Sequence, residues 1–106
     1  MGAAVVPIMR GGASSDAVQL INPALEDAYW RRGYASRTYV RPGASYELYR
    51  LAYRHGWESR ARYVTLDWAR AEPHISQDWK TRGSLLAWPA ARPAVRDAWE
   101  RVDRLR

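Results

Sequence analysis

Apolar positions in the second half of the chain fall into helical phase twice, twenty residues apart. The run Leu66-x-Trp68-x-x-Ala71-x-Pro73-x-Ile75-x-x-x-Trp79 returns as Leu86-x-Trp88-x-x-Ala91-x-Pro93-x-Val95-x-x-x-Trp99. Trp68, Ala71, Ile75 and Trp79 stand at i, i+3, i+7 and i+11, one stripe of a 3.6-residue helix. Trp88, Ala91, Val95 and Trp99 have the same spacing, and Val102 continues it. The pattern predicts two amphipathic helices in repeat units of about 66–82 and 86–102, each with two Trp three turns apart on its buried stripe. Pro73 and Pro93 stand where a proline removes a helical hydrogen bond, so each helix is expected either to start at the proline or to bend there. The link Thr81-Arg82-Gly83-Ser84 reads as a C-terminal Gly followed by a Ser N-cap. A link this short makes the two helices antiparallel neighbours.

Two further helices precede the repeat. Asn22 reads as an N-cap and Pro23 as the first helical residue of a short helix reaching Trp30 or Arg32. Glu26 and Asp27 lie early in it, Arg31 and Arg32 late, and Gly33 stops it. Arg41-Pro42-Gly43 has turn chemistry. Ser45 is expected to cap a second helix from Tyr46 to about Tyr63. On it Tyr46, Tyr49, Tyr53 and Trp57 fall within an arc of about 80° at 100° per residue, with Leu48, Leu51 and Ala52 on another side. Gly56 inside this helix costs up to about 1 kcal/mol relative to Ala, which close approach of another backbone or ring would explain. Residues 1–22, with Gly11-Gly12-Ala13-Ser14-Ser15, read as a flexible tail ahead of a single helical domain at 23–106. The fold class expected is all-α, a small three- to four-helix domain with Trp57, Trp68, Trp79, Trp88 and Trp99 as its structural core.

Composition narrows the chemistry. With 106 residues, 47 % hydrophobic and 26 % charged, the chain supports one small globular domain. It has no Cys, which excludes disulfides, thiolate metal sites and Cys nucleophiles. No run of 18 apolar residues spans a membrane, and Met1–Met9 lacks the basic region and length of a signal peptide, so the cytoplasm is the expected compartment. The formal charge is +6, and residues 31–62 alone carry a net +6. Arg31, Arg32, Arg37, Arg41, Arg50, Arg54, Arg60 and Arg62 interleave there with tyrosines, among them Tyr39 and Tyr49. Arginines with aromatics can bind single-stranded nucleic acid, but the same pair of residue types also builds small cores.

The run Glu26-Asp27-x-Tyr29-Trp30 and then Ser45-Tyr46-x-x-Tyr49-Arg50-x-Ala52-Tyr53-Arg54-x-Gly56-Trp57-Glu58, followed by the paired Trp helices, resembles a family of small bacterial proteins found beside stress-response genes. The resemblance covers about residues 26–102. That family has no established activity, so the resemblance carries no activity and no site residue over to this chain. The chain departs from the pattern at Leu51, where Pro is usual, and at His55, where an aromatic is usual. Val64-Thr65-Leu66 replaces a Gly-Arg turn, and Arg70 and Ala71 replace acidic neighbours.

Catalytic and metal chemistry find little support in the residues. His55 with Glu58, and His74 with Asp78, offer at most ligand pairs where zinc needs three or four groups. Glu72 and Asp78 read better as solvated or Arg-paired carboxylates than as an acid/base couple. No G-x-S-x-G elbow or phosphate-cradling Gly loop is present. The expectation is therefore a non-catalytic interaction protein with no metal, cofactor or small-molecule substrate. It is expected to bind a protein partner, or itself, through the Arg/Tyr-rich surface. Nucleic-acid or other polyanion binding through the 31–62 arginines is the alternative.

Overall fold

The computed structural model describes residues 21–105. Four helices follow one another: α1 (Pro23–Gly33), α2 (Tyr46–Arg62), α3 (Trp68–Trp79) and α4 (Trp88–Leu105), with a 3-10 turn at Tyr34–Ser36 after α1. No strand occurs among the described residues, and none of their helices is long and apolar enough to cross a membrane. The expected tail lies outside the described residues except at its end, where Ile21 packs against the core and so belongs to the folded unit, a correction. Asn22 caps α1 as its N-cap reading expects, accepting from the Ala24 and Leu25 amides.

Local chemistry explains most boundaries. Pro42 and Gly43 sit at the centre of a turn closed by the Ala44 amide on the Arg41 carbonyl (3.0 Å), with Gly43 at φ 80. Asp67 caps α3 by accepting from the Arg70 amide at 2.9 Å. One cap expectation holds in position only, and one fails. Ser45 occupies the N-cap position of α2, but its hydroxyl makes no cap bond. Ser84 accepts from the Leu86 amide (3.0 Å) in the link, and α4 begins only after Ala87, whose carbonyl takes the Ala90 and Ala91 amides. Neither Pro starts a helix. Both lie inside a helix, in the second turn after its first residue, Trp68 or Trp88.

Helix α2 is the centre of the molecule, with α1 on one side and α4 on another. Its close approach to α4 depends on Gly56. A Cβ there would overlap the Val95 carbonyl oxygen and lie 2.7 Å from the Ala98 Cβ. Ala52 on α2 and Ala91, Ala94 and Ala98 on α4 are fully buried alongside. Small side chains thus bring the two backbones together, and the large rings fill the edges of the crossing.

The tyrosine row faces inward. Tyr46, Tyr49, Tyr53 and Trp57 are all buried, and Trp30 of α1 stacks on Tyr53 with centroids 4.4 Å apart. Trp57, Trp68, Trp79 and Trp99 are core residues, whereas Trp88 is only half-buried, packed 6.4 Å from the Trp79 ring. Trp30, absent from the expected core, is completely buried.

The repeat is visible in space. Trp68 contacts Trp99 and Trp79 contacts Trp88, so α3 and α4 run antiparallel. Between these ends Glu72 of α3 forms a two-pronged ion pair with Arg92 of α4. Glu72 and Arg92 occupy the same position in their repeat units, as the twenty-residue offset requires. Equivalent residues meet where a local two-fold axis passes between the two helices.

Candidate functional site: surface arginines and an apolar groove

Most of the 31–62 arginines are engaged by the protein's own carboxylates. Asp27 collects Arg31 (3.6 Å), Arg50 Nε (3.1 Å) and the Tyr46 hydroxyl (2.8 Å). Burial, then that hydrogen bond to Asp27, pushes the Tyr46 phenol well above its ordinary range. Arg31 and Arg50 also reach Glu47 at 3.5 and 3.6 Å. Arg54 pairs with Glu58 at 2.8 Å, Arg62 with Asp78 at 3.5 Å, and Arg37 with Asp97 at 3.6 Å. These contacts are mostly exposed and individually weak, so the arginines remain able to exchange partners.

Two expected binding residues are corrected. Arg60 is 4 % exposed. It pairs with Asp103 at 2.7 Å, donates to the Tyr63 and Val64 carbonyls, and lies over the Trp99 ring. Its guanidinium thereby closes the C-terminal end of α2 against α4 and is not offered to a ligand. Tyr49 is 2 % exposed and forms part of the core. Tyr39 is half-buried, with its hydroxyl donating to Asp97 (2.6 Å) and sharing a hydrogen bond with the Tyr53 hydroxyl (2.9 Å). Burial and the bond to Asp97 raise its pKa far above the phenol range, and burial raises Tyr53 to about 12. Tyr39 is a half-buried tie between the 34–44 segment, α2 and α4. Among the described arginines only Arg32, Arg41, Arg70 and Arg104 have no carboxylate within ion-pair distance.

The two histidines are far apart in character. His74 is exposed and stacks on Tyr63 (5.5 Å). His55 is buried. Its Nε2 lies 2.9 Å from the Ile75 carbonyl, which can only accept, so Nε2 carries the proton. Nδ1 is then a lone-pair acceptor with no partner, and burial holds the ring pKa below its ordinary value. His55 borders a polar cleft of about 310 Å³ with Glu58, Ser59, Arg62, Asp78 and Arg82. Burial raises the Glu58 carboxyl, but its bonds to Arg54 and Arg82 outweigh this, and its pKa ends low. Asp78 accepts from Tyr63 at 2.6 Å. The charged groups of the cleft neutralise one another, and no group of three or more His, Asp or Glu among the described residues could hold a metal ion.

A different surface sets the expected residues Tyr39, Arg41 and Tyr49 beside residues that the sequence reading does not single out. An apolar groove of about 540 Å³ runs between Tyr39, Arg41 and Tyr49 on one side and Leu85, Leu86, Pro89 and Pro93 on the other. Its shape follows from the link after α3. Gly83 at φ 72 reverses the chain, and the Ser84 hydroxyl then holds the Leu86 amide. Leu86 is turned inward, where its carbonyl accepts the Trp79 indole N–H at 2.9 Å. Leu85 is turned outward and is 93 % exposed. The equivalent position in the first repeat unit is Thr65, also exposed, so this site in the repeat accepts a polar residue. That difference between the repeats was the signal available in the sequence.

Comparison with family models, with curated proteins and with solved structures finds no match.

Proposed function

We propose that this protein is a non-catalytic helical interaction module that binds a protein partner or a second copy of itself through the α3–α4 link and the groove beside it. The observation that carries the reading is Leu85. An isolated exposed Leu is ordinary, but this one continues an apolar groove. Its repeat equivalent is Thr65, so folding places no demand for an apolar side chain there. The Arg/Tyr surface first expected for this role loses Tyr49 and Arg60 to the core and moves to Arg41 at the groove. The motif resemblance to small bacterial proteins adds a stress-associated accessory role to the proposal.

The test is photo-crosslinking. Benzoylphenylalanine at position 85 in producing cells should give a discrete adduct, with a partner or with a second copy. The same group at Leu25, 63 % exposed and outside the groove, should not give that adduct. No adduct at 85, or the same adduct from both positions, would overturn the reading.

A second reading rests on Arg32 and Arg41, which lack carboxylate partners among the described residues, and on the exchangeable surface pairs around them. It is polyanion binding by the 31–62 arginines other than Arg60. Counterion release makes such binding strongest at low salt, so a labelled single-stranded oligonucleotide should bind at about 50 mM salt and be released as salt rises. No binding at about 50 mM ends this reading.

A further inference from the structure

We propose that the groove between Arg41 and the start of α4 is the docking site for an apolar segment of a partner protein that carries an Asp or Glu for Arg41. The inference rests on the protein-binding reading above and adds the chemistry of the partner. Arg41 is the one charged side chain among the residues lining the groove, where exposed Leu85 and Pro89 and half-buried Tyr39 supply apolar surface over a floor of buried Tyr49 and Leu86. It is exposed, and no described carboxylate pairs with it, although most described arginines have such a partner. The Arg41 backbone is held in place by its amide, 3.4 Å from the Tyr49 hydroxyl, and by the turn that its carbonyl closes with Ala44.

A segment covering the apolar walls removes water from the Arg41 guanidinium. Taking an unpaired charge out of water is unfavourable, so a purely apolar segment binds at a disadvantage. A Lys- or Arg-bearing segment adds repulsion. A carboxylate meets the planar guanidinium fork with two hydrogen bonds and restores its solvation. The groove therefore selects by charge as well as by apolar surface.

The experiment selects a random peptide library, displayed on phage, against the full chain. Enriched peptides should combine Leu, Ile, Val or aromatic residues with at least one Asp or Glu. Their synthetic, fluorescein-labelled versions should lose at least tenfold in affinity when the acid is replaced by Lys, and at least tenfold with Leu85→Ser or Arg41→Glu. Both substituted positions are exposed, so the variants keep the fold, which circular dichroism checks. Selection against Arg41→Glu should invert the preference towards basic peptides. The inference is overturned if no peptide is enriched. It also falls if enriched peptides lack acids, or if they bind the two variants as well as the parent. A crosslink from position 85 to residues 1–20 of the same chain, or to a second copy, overturns it as well. An adduct with another protein at position 85 alongside acid-free peptides would leave the protein-binding reading standing and remove only this inference.

Discussion

At Gly56 a single hydrogen atom decides how closely two helices pack. Any side chain there meets the Val95 carbonyl and the Ala98 methyl, both on a packed helix that cannot yield locally. Gly56→Ala is therefore expected to destabilise by about 1–3 kcal/mol despite its higher helix propensity, because overpacking outweighs the gain of up to about 1 kcal/mol. A urea melt measures this, and a stabilised variant would contradict the geometry. The tryptophans divide in the same way. Trp79→Ala and Trp99→Ala should each cost roughly 3–5 kcal/mol, the former also leaving the Leu86 carbonyl without its donor. Half-buried Trp88→Ala should cost only about 1–2 kcal/mol. Equal losses at positions 88 and 99 would show that burial does not rank these residues.

Between elements, the meeting of Glu72 and Arg92 is a consequence of the repeat. Two antiparallel copies of one helix bring equivalent positions together at their local axis, so the pair should work in either direction. Glu72→Arg and Arg92→Glu are each expected to lower stability by about 1 kcal/mol, a modest figure because the Arg92 side chain is 41 % exposed. The double exchange should recover most of that loss. A double variant no better than the sum of the singles would mean that the surroundings, including the Trp68 ring 5.8 Å from the Arg92 guanidinium, are not symmetric enough to accept the exchange. The existence, phase and order of the helices were readable because four of the six Trp mark a 3.6-residue stripe twice over. The caps were less readable. Ser45 and Ser84 have the right side chains, but the route of the chain leaves the Ser45 hydroxyl without a cap bond and gives the Ser84 hydroxyl the Leu86 amide in the link, ahead of the helix.

For the whole molecule, acid stability should fall in two stages. His55 is neutral in the folded protein with its pKa held below 6.5, whereas the unfolded chain takes up a proton near 6.5. The unfolded state then binds more protons, so stability declines as pH falls below about 6.5 until the lowered folded pKa is passed. Glu58 and Glu72, held below 4.5 by their arginines against the effect of burial, add a second decline at more acidic pH. Chemical melts at a series of pH values should resolve both stages, and His55→Gln should remove the upper one. An unchanged upper stage in that variant would assign it to another group.

The +6 charge also takes its meaning at this scale. In the sequence it marks residues 31–62 as a cationic segment. In the fold, Asp97 and Asp103, far along the chain, reach back to Arg37 and Arg60, while Asp27 gathers Arg31 and Arg50. Residue spacing alone specifies the all-α class, the two repeat helices and the inward phase of Trp68, Trp79 and Trp99, because helical periodicity is a local property. Burial of the tyrosine row, closure of the core by Arg60, and the meeting of Leu85 and Arg41 at one groove arise in the fold. Those outcomes depend on which distant side chains meet, and spacing along a single chain carries no record of that.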